Sequence, residues 1–255
     1  DGHHPISGAN DHIDDDDNGV ASLKKTTDTD ASTAGNDTLA AGDGVNRVLG
    51  GLGQDDISSG DGEAHVLGDN GELQYLNGVL IRATTTTPGL GDQDQLTLGD
   101  GRAVAMLGDG NDSLDAGDGE KFIVGDHGEV LWTDTGVIRQ VRSLHSDVGG
   151  DDVISVAAGD NTIVAGIGDD QVSAGAGDDD IIGDNGQIDY DANGIVSLIR
   201  STDSDTSTAG QDSLAAGDGV NRVLGGLGQD DISSGDGEAH VSVSYTHLTL
   251  PTKRI

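Results

Sequence analysis

Apolar residues recur every nine positions, and that spacing restricts the fold more than any other feature of the chain. Leu39, Val48, Ile57 and Val66 are entered through Gly-x-Gly-x-(Asp/Asn/Ala)-x turns, with Thr33 in place of the first Gly before Leu39, and the turn is best preserved as Gly50-Gly51-Leu52-Gly53-Gln54-Asp55-Asp56-Ile57-Ser58. A period of nine is too long for one helical face and too short for a helix-turn-helix repeat. It suits one short strand plus one tight turn, stacked coil on coil. The foursome returns as Leu96, Ala105, Leu114 and Ile123, as Ile154, Ile163, Val172 and Ile181, and as Leu214, Val223, Ile232 and Val241. The first three foursomes are each followed by a Gly-Asp-(Asn/His)-Gly tetrad, at Gly68–Gly71, Gly125–Gly128 and Gly183–Gly186. The repeat is therefore about 58 residues, four nonapeptides plus an insert.

Residues 8–35 match the insert at 183–210, so the pattern covers nearly all of residues 1–241 as four units that start and end mid-unit. Residues 39–66 and 214–241 are identical while the units between them differ, which a recent duplication or a misassembled repeat would explain. After Val241 the expected Leu-Gly-Asp-Asn-Gly does not follow. Residues 242–255 resemble a translated sequencing adapter and are expected to be a non-native tail, which would make the chain a fragment.

The Gly-Gly-x-Gly-x-Asp-x-apolar-x copies resemble the repeats-in-toxin (RTX) family, whose nonapeptides bind calcium. The resemblance implies an all-β fold: a parallel β-roll, or β-solenoid, with calcium-binding turns, carrying here a β-hairpin insert every ~58 residues. It also implies an array that stays unfolded in the low-calcium cytosol, passes a type I secretion channel and folds outside the cell.

Composition agrees with a calcium requirement. Forty-seven carboxylates face twelve Lys and Arg, a formal charge of −35, and 43 glycines with 2% aromatics would alone suggest disorder. A compact state needs counter-charge, which divalent cations supply. Nucleic acid is disfavoured as a partner. No apolar run reaches the roughly 18 residues of a membrane span, so no membrane insertion is expected. Without cysteine there is neither a disulfide framework nor a thiolate site.

In a two-strand coil, turns eighteen residues apart stack on one edge. The residue two before each inward position is Asp throughout the first edge, in the pairs Asp37 with Asp55, Asp94 with Asp112, Asp152 with Asp170, and Asp212 with Asp230. The second edge pairs Asn46 with Ala64, Ala103 with Lys121, Asn161 with Asp179, and Asn221 with Ala239, leaving Asp179 as its one carboxylate. Calcium takes six to eight oxygens from carboxylates and backbone carbonyls. By resemblance to the family, Ca2+ sits between stacked turns, held by these Asp residues and by the carbonyls of Gly51, Gly53, Gly108, Gly110, Gly166, Gly168, Gly226 and Gly228. Asp also favours turns without any metal, but eight in register on one edge favour ligation.

The inserts read as hairpins. Glu72-Leu73-Gln74-Tyr75, Glu129-Val130-Leu131-Trp132 and Gln187-Ile188-Asp189-Tyr190 alternate with period two, and Asn77-Gly78, Thr135-Gly136 and Asn193-Gly194 supply the turns. Outward positions are mostly polar on the sheet behind the Asp edge (Ala40, Ser58, Thr97, Asp115). They are apolar on the other (Leu49, Leu67, Met106, Val124, Val164, Ile182, Leu224). The hairpins leave directly after the apolar sheet's strands and are expected to fold back over that face, since an isolated hairpin is marginal in water. His65, His127 and His240 are expected at the surface.

No His-Glu-x-x-His, Gly-x-Ser-x-Gly or Gly-Lys-(Ser/Thr) motif occurs, and no enzymatic activity is expected. The expected role is a structural array in a secreted bacterial adhesin-like or surface protein, at the cell surface or outside it, with any protein or glycan ligand left open. The alternative is a calcium-binding module of an RTX enzyme or toxin whose catalytic domain lies elsewhere. A polysaccharide-modifying enzyme is a weaker third reading.

Overall fold

The computed structural model describes residues 34–204 and 207–242, residues 29, 30 and 32, and the strands His3–Ser7, Asp11–Asp15 and Ala21–Thr26. Residues 243–255, in the expected foreign tail, lie outside the described residues; Ser242 ends the last strand. The described residues are all-β, with no α-helix.

Three sheets are stacked as layers. From Thr38 onward the nonapeptide strands alternate between an eight-stranded and a nine-stranded sheet, both parallel, and within each sheet strands pair in the order the chain lays them down. The nine-residue period sets the register: Leu39 pairs with Ile57, Ile57 with Leu96, Leu96 with Leu114 and Leu114 with Ile154, while Val48 pairs with Val66 and Val66 with Ala105. All sixteen predicted inward positions meet in one core between these sheets, with Ile232 and Val241 only partly buried at its end.

The inserts are antiparallel hairpins, as the alternation predicts: Gly71–Leu76 with Val79–Thr85, Gly128–Trp132 with Ile138–Ser143, and Gly186–Tyr190 with Val196–Ser201. The first turns through Asn77 and Gly78, both at positive φ (52° and 80°), as a two-residue reversal with the strands' own twist requires. The structure adds what the sequence reading lacked. Neighbouring hairpins pair with each other, Ala83 with Val130 and Val141 with Ile188, into one continuous eight-stranded sheet. Glu129 is buried at one such junction and accepts from Arg82 and Arg142, each at 2.6 Å.

This hairpin sheet covers the apolar outer face of the nine-stranded sheet. Leu49, Leu67, Met106, Val124, Val164 and Ile182 are fully buried, in a second core with Leu73, Tyr75, Val130, Trp132, Ile188 and Tyr190. The opposite outer face, with Ala40, Thr97, Asp115 and Ser155, is exposed. The one departure is histidine. His65 is 4% exposed because its position lies beneath a hairpin, where Nδ1 meets the Tyr75 hydroxyl (2.9 Å) and Nε2 meets Glu63 (2.9 Å). His127 is fully buried against Asp109 (2.7 Å); only His240, at the open end, is exposed as expected.

Trp132 stands edge-on to Phe122 within this second core, 6.1 Å between ring centroids. Its fluorescence is expected to be blue-shifted and shielded from aqueous quencher in the folded protein. Val124→Asp, which places an unpaired carboxylate at a fully buried position at a cost of several kcal/mol, is expected to expose it. A Trp132 as quenchable in the folded protein as in the unfolded would show the hairpins to be free arms.

Candidate metal centre on the aspartate edge

The turns that run from the nine-stranded to the eight-stranded sheet stack along one edge, and they bring eight of the nine predicted Asp residues into a single ladder. The backbone N–H of each Asp donates to Oδ1 of the next: Asp37 to Asp55 (2.8 Å), Asp55 to Asp94 (2.8 Å), Asp94 to Asp112 (2.6 Å) and Asp112 to Asp152 (2.8 Å). It continues from Asp152 to Asp170 (2.8 Å), Asp170 to Asp212 (3.0 Å) and Asp212 to Asp230 (3.3 Å). One oxygen of each carboxylate from Asp55 to Asp230 is thereby fixed by the backbone.

The other oxygen is what needs explaining. Oδ2 of Asp55, Asp94, Asp112, Asp152, Asp170, Asp212 and Asp230 is buried and accepts no hydrogen bond. A buried polar atom left unpaired costs about 1–3 kcal/mol, more if charged. Burial, with repulsion from neighbouring carboxylates, pushes Asp55 up to about 7, Asp112 and Asp212 to about 8, Asp94 to about 9 and Asp170 to about 10, and raises Asp152 as well. Ionising this row within the fold is opposed unless positive charge lies beside it.

The turn backbone fits a cation. All eight predicted glycines, from Gly51 to Gly228, have φ between 105° and 136°, a region that disfavours side chains. A Cβ on Gly50 or Gly225 would stand 2.4 or 2.2 Å from the unpaired Oδ2 of Asp55 or Asp230. Among the described residues no three His, Asp or Glu side chains converge on one point. A centre here would therefore combine a pair of carboxylates with turn carbonyls, the oxygen-only set that suits calcium.

Asp179 stands apart from the ladder on the opposite edge, where its Oδ1 accepts from the backbone N–H (3.0 Å) and Nδ2 (2.9 Å) of Asn161. Its Oδ2 is also buried and unpaired, and burial raises it to about 6.

Sequence reasoning gave no role to the tetrad carboxylates Asp69, Asp126 and Asp184. Each lies where a hairpin interrupts a first-edge turn, and Asp126 and Asp184 clamp the break. Asp126 accepts from Gly150 N (3.0 Å), on the segment returning from the hairpin, and from Ile167 N (2.5 Å) in the next turn. Asp184 does the same with Gly210 N (3.0 Å) and Leu227 N, and Asp69 accepts from Asp109 N (2.6 Å). Recurrence of Asp in every tetrad was the available signal.

A family model described as RTX calcium-binding nonapeptide repeat (4 copies) matches residues 32–63, 156–187 and 206–238. These stretches contain Asp37, Asp55, Asp170, Asp212 and Asp230 of the ladder, and Asp179 and Asp184. No curated protein matches the chain, and no solved structure matches it.

Proposed function

The chain is an RTX-repeat protein, and from that premise we propose that it is a calcium-binding structural array of a secreted, adhesin-like or surface protein that folds on meeting calcium outside the cell. Its two parallel sheets are then the faces of a β-roll, and the ladder from Asp37 to Asp230 is its metal edge. The observation that carries this reading is the row of seven buried, unpaired Oδ2 atoms. Calcium bound there supplies the positive charge the ladder lacks. The Asp carboxylates and the first-edge glycine carbonyls hold the ion, and the Oδ1 hydrogen bonds keep the carboxylates aligned from turn to turn.

The continuous hairpin sheet favours an array over an accessory module of an enzyme or toxin. Each unit presents the same hairpin to its neighbours, so the assembly extends by repetition. No catalytic role is assigned. Calorimetric titration is expected to give dissociation constants on the order of 10⁻⁴–10⁻³ M, the range of extracellular calcium modules. Saturation at submicromolar calcium would load the chain inside the cell and contradict folding on export.

A further inference from the structure

On the second edge one residue breaks the pattern of Asn, Asp and Ala. Lys121 is fully buried, at the position equivalent to the ladder Asp of the first edge. Its ammonium donates to the carbonyls of Gly101 (2.7 Å), Asp118 (2.9 Å) and Gly119 (3.2 Å), which belong to two stacked turns. Gly101 and Gly119 both lie at positive φ, 122° and 110°. Counted back from the motif's sixth position, they are the second-edge counterparts of Gly53, Gly110, Gly168 and Gly228, whose carbonyls are the expected calcium ligands.

We propose that Lys121 is a built-in cation: its ammonium takes the place between stacked turns that calcium takes on the first edge, so that this part of the second edge closes without metal. The Asn residues of the same edge do the same with neutral donors. Nδ2 of Asn161 donates to Gly159 O (2.8 Å) and that of Asn221 to Gly217 O (2.8 Å), again at motif carbonyls. The first edge thus has a row of buried carboxylates that need a cation, whereas the second edge meets motif carbonyls with the N–H groups of Lys121, Asn161 and Asn221. The second edge's own row, Asp43, Asp61, Asp100 and Asp118, is exposed. Calcium dependence then falls chiefly on the first edge, Asp179 being the second edge's one carboxylate with a buried unpaired oxygen, and Lys121 is the residue that most directly substitutes for the ion.

The inference rests on the calcium reading of the first edge, and its test separates the two. Lys121→Met keeps the reach and removes the charge. It is expected to need about threefold or more calcium for half-folding, because orphaned buried carbonyls weaken the folded state and the loss is shared among cooperatively bound ions. Lys121→Asp is expected to bind more calcium per chain than Lys121→Met and the unaltered protein, measured by equilibrium dialysis at saturating calcium. Failure of Lys121→Asp to gain calcium, or Lys121→Met folding at the unaltered calcium concentration, would overturn the proposal. Should neither variant fold, competitive acylation of the unaltered, calcium-loaded protein decides: Lys121 is expected to react at least tenfold more slowly than Lys25, and equal rates overturn the proposal. Absence of calcium binding by the unaltered protein would instead sink the first-edge reading.

Discussion

In chelator at neutral pH the chain is expected to lose most of its β signal in circular dichroism and to regain it at millimolar calcium. The formal charge of −35 is spread over a protein with twelve Lys and Arg, and seven ladder carboxylates hold a buried oxygen with no donor. Ionising that row without counter-charge opposes the compact state. Protons should partly replace calcium. Asp55, Asp94, Asp112, Asp170 and Asp212 are pushed up in the folded chain to between about 7 and about 10, chiefly by burial, against an unfolded value of 3.8. The folded form therefore binds protons that the unfolded form has released. Their stabilisation is complete below about pH 4 and is lost as pH rises through 7 to 10. Strand signal in chelator should accordingly recover on acidification from pH 8 toward pH 5. A native spectrum in chelator at pH 8, unchanged by calcium, would contradict the account.

The two edges are expected to respond unequally to substitution. Asp170→Ala removes a carboxylate from two neighbouring gaps and leaves the buried N–H of Asp152 without its acceptor, at a cost of about 1–3 kcal/mol before any loss of calcium. Asp55→Ala removes the acceptor of the half-buried N–H of Asp37. Both should lower the calcium stoichiometry and raise the calcium concentration needed for folding. Asn221→Ala removes donations to Gly217 O and Ser234 Oγ and the acceptor of the buried Asp179 N–H, and so costs comparable stability, but with stoichiometry unchanged. Equal losses of bound calcium from Asp170→Ala and Asn221→Ala, by calorimetric titration, would mean that the two edges are chemically alike.

What was legible in the sequence was what the repeat encodes locally. Nine-residue spacing forces strands onto alternating sheets, and that alone put Leu39, Ile57, Leu96 and Leu114 in one row and aligned Asp37 through Asp230 beside them. Asn77-Gly78 marked a hairpin by its own turn chemistry. The joining of hairpins into one sheet depends on partners such as Ala83 and Val130, 47 residues apart, with no local signal between them. The reason for it is a matching of growth rates. Each unit of about 58 residues adds two strands to every sheet, so at one common strand spacing of about 4.8 Å the hairpins arrive edge to edge. His65 was misread for the same reason, because its burial is decided by the hairpin above it and not by its own strand. The tetrad Asp residues had only their recurrence to mark them; the clamping of the interrupted turns by Asp126 and Asp184 depends on Gly150 and Gly210, 24 and 26 residues away.

The position of the ions tests the account most directly. Crystals grown in calcium and measured at a wavelength where calcium scatters anomalously should show a line of peaks along the first edge, between successive members of the row Asp37, Asp55, Asp94, Asp112, Asp152, Asp170, Asp212 and Asp230. No peak should lie between the turns that hold Lys121. Peaks distributed equally along both edges, or an Asp ladder with no peak in saturating calcium, would contradict it.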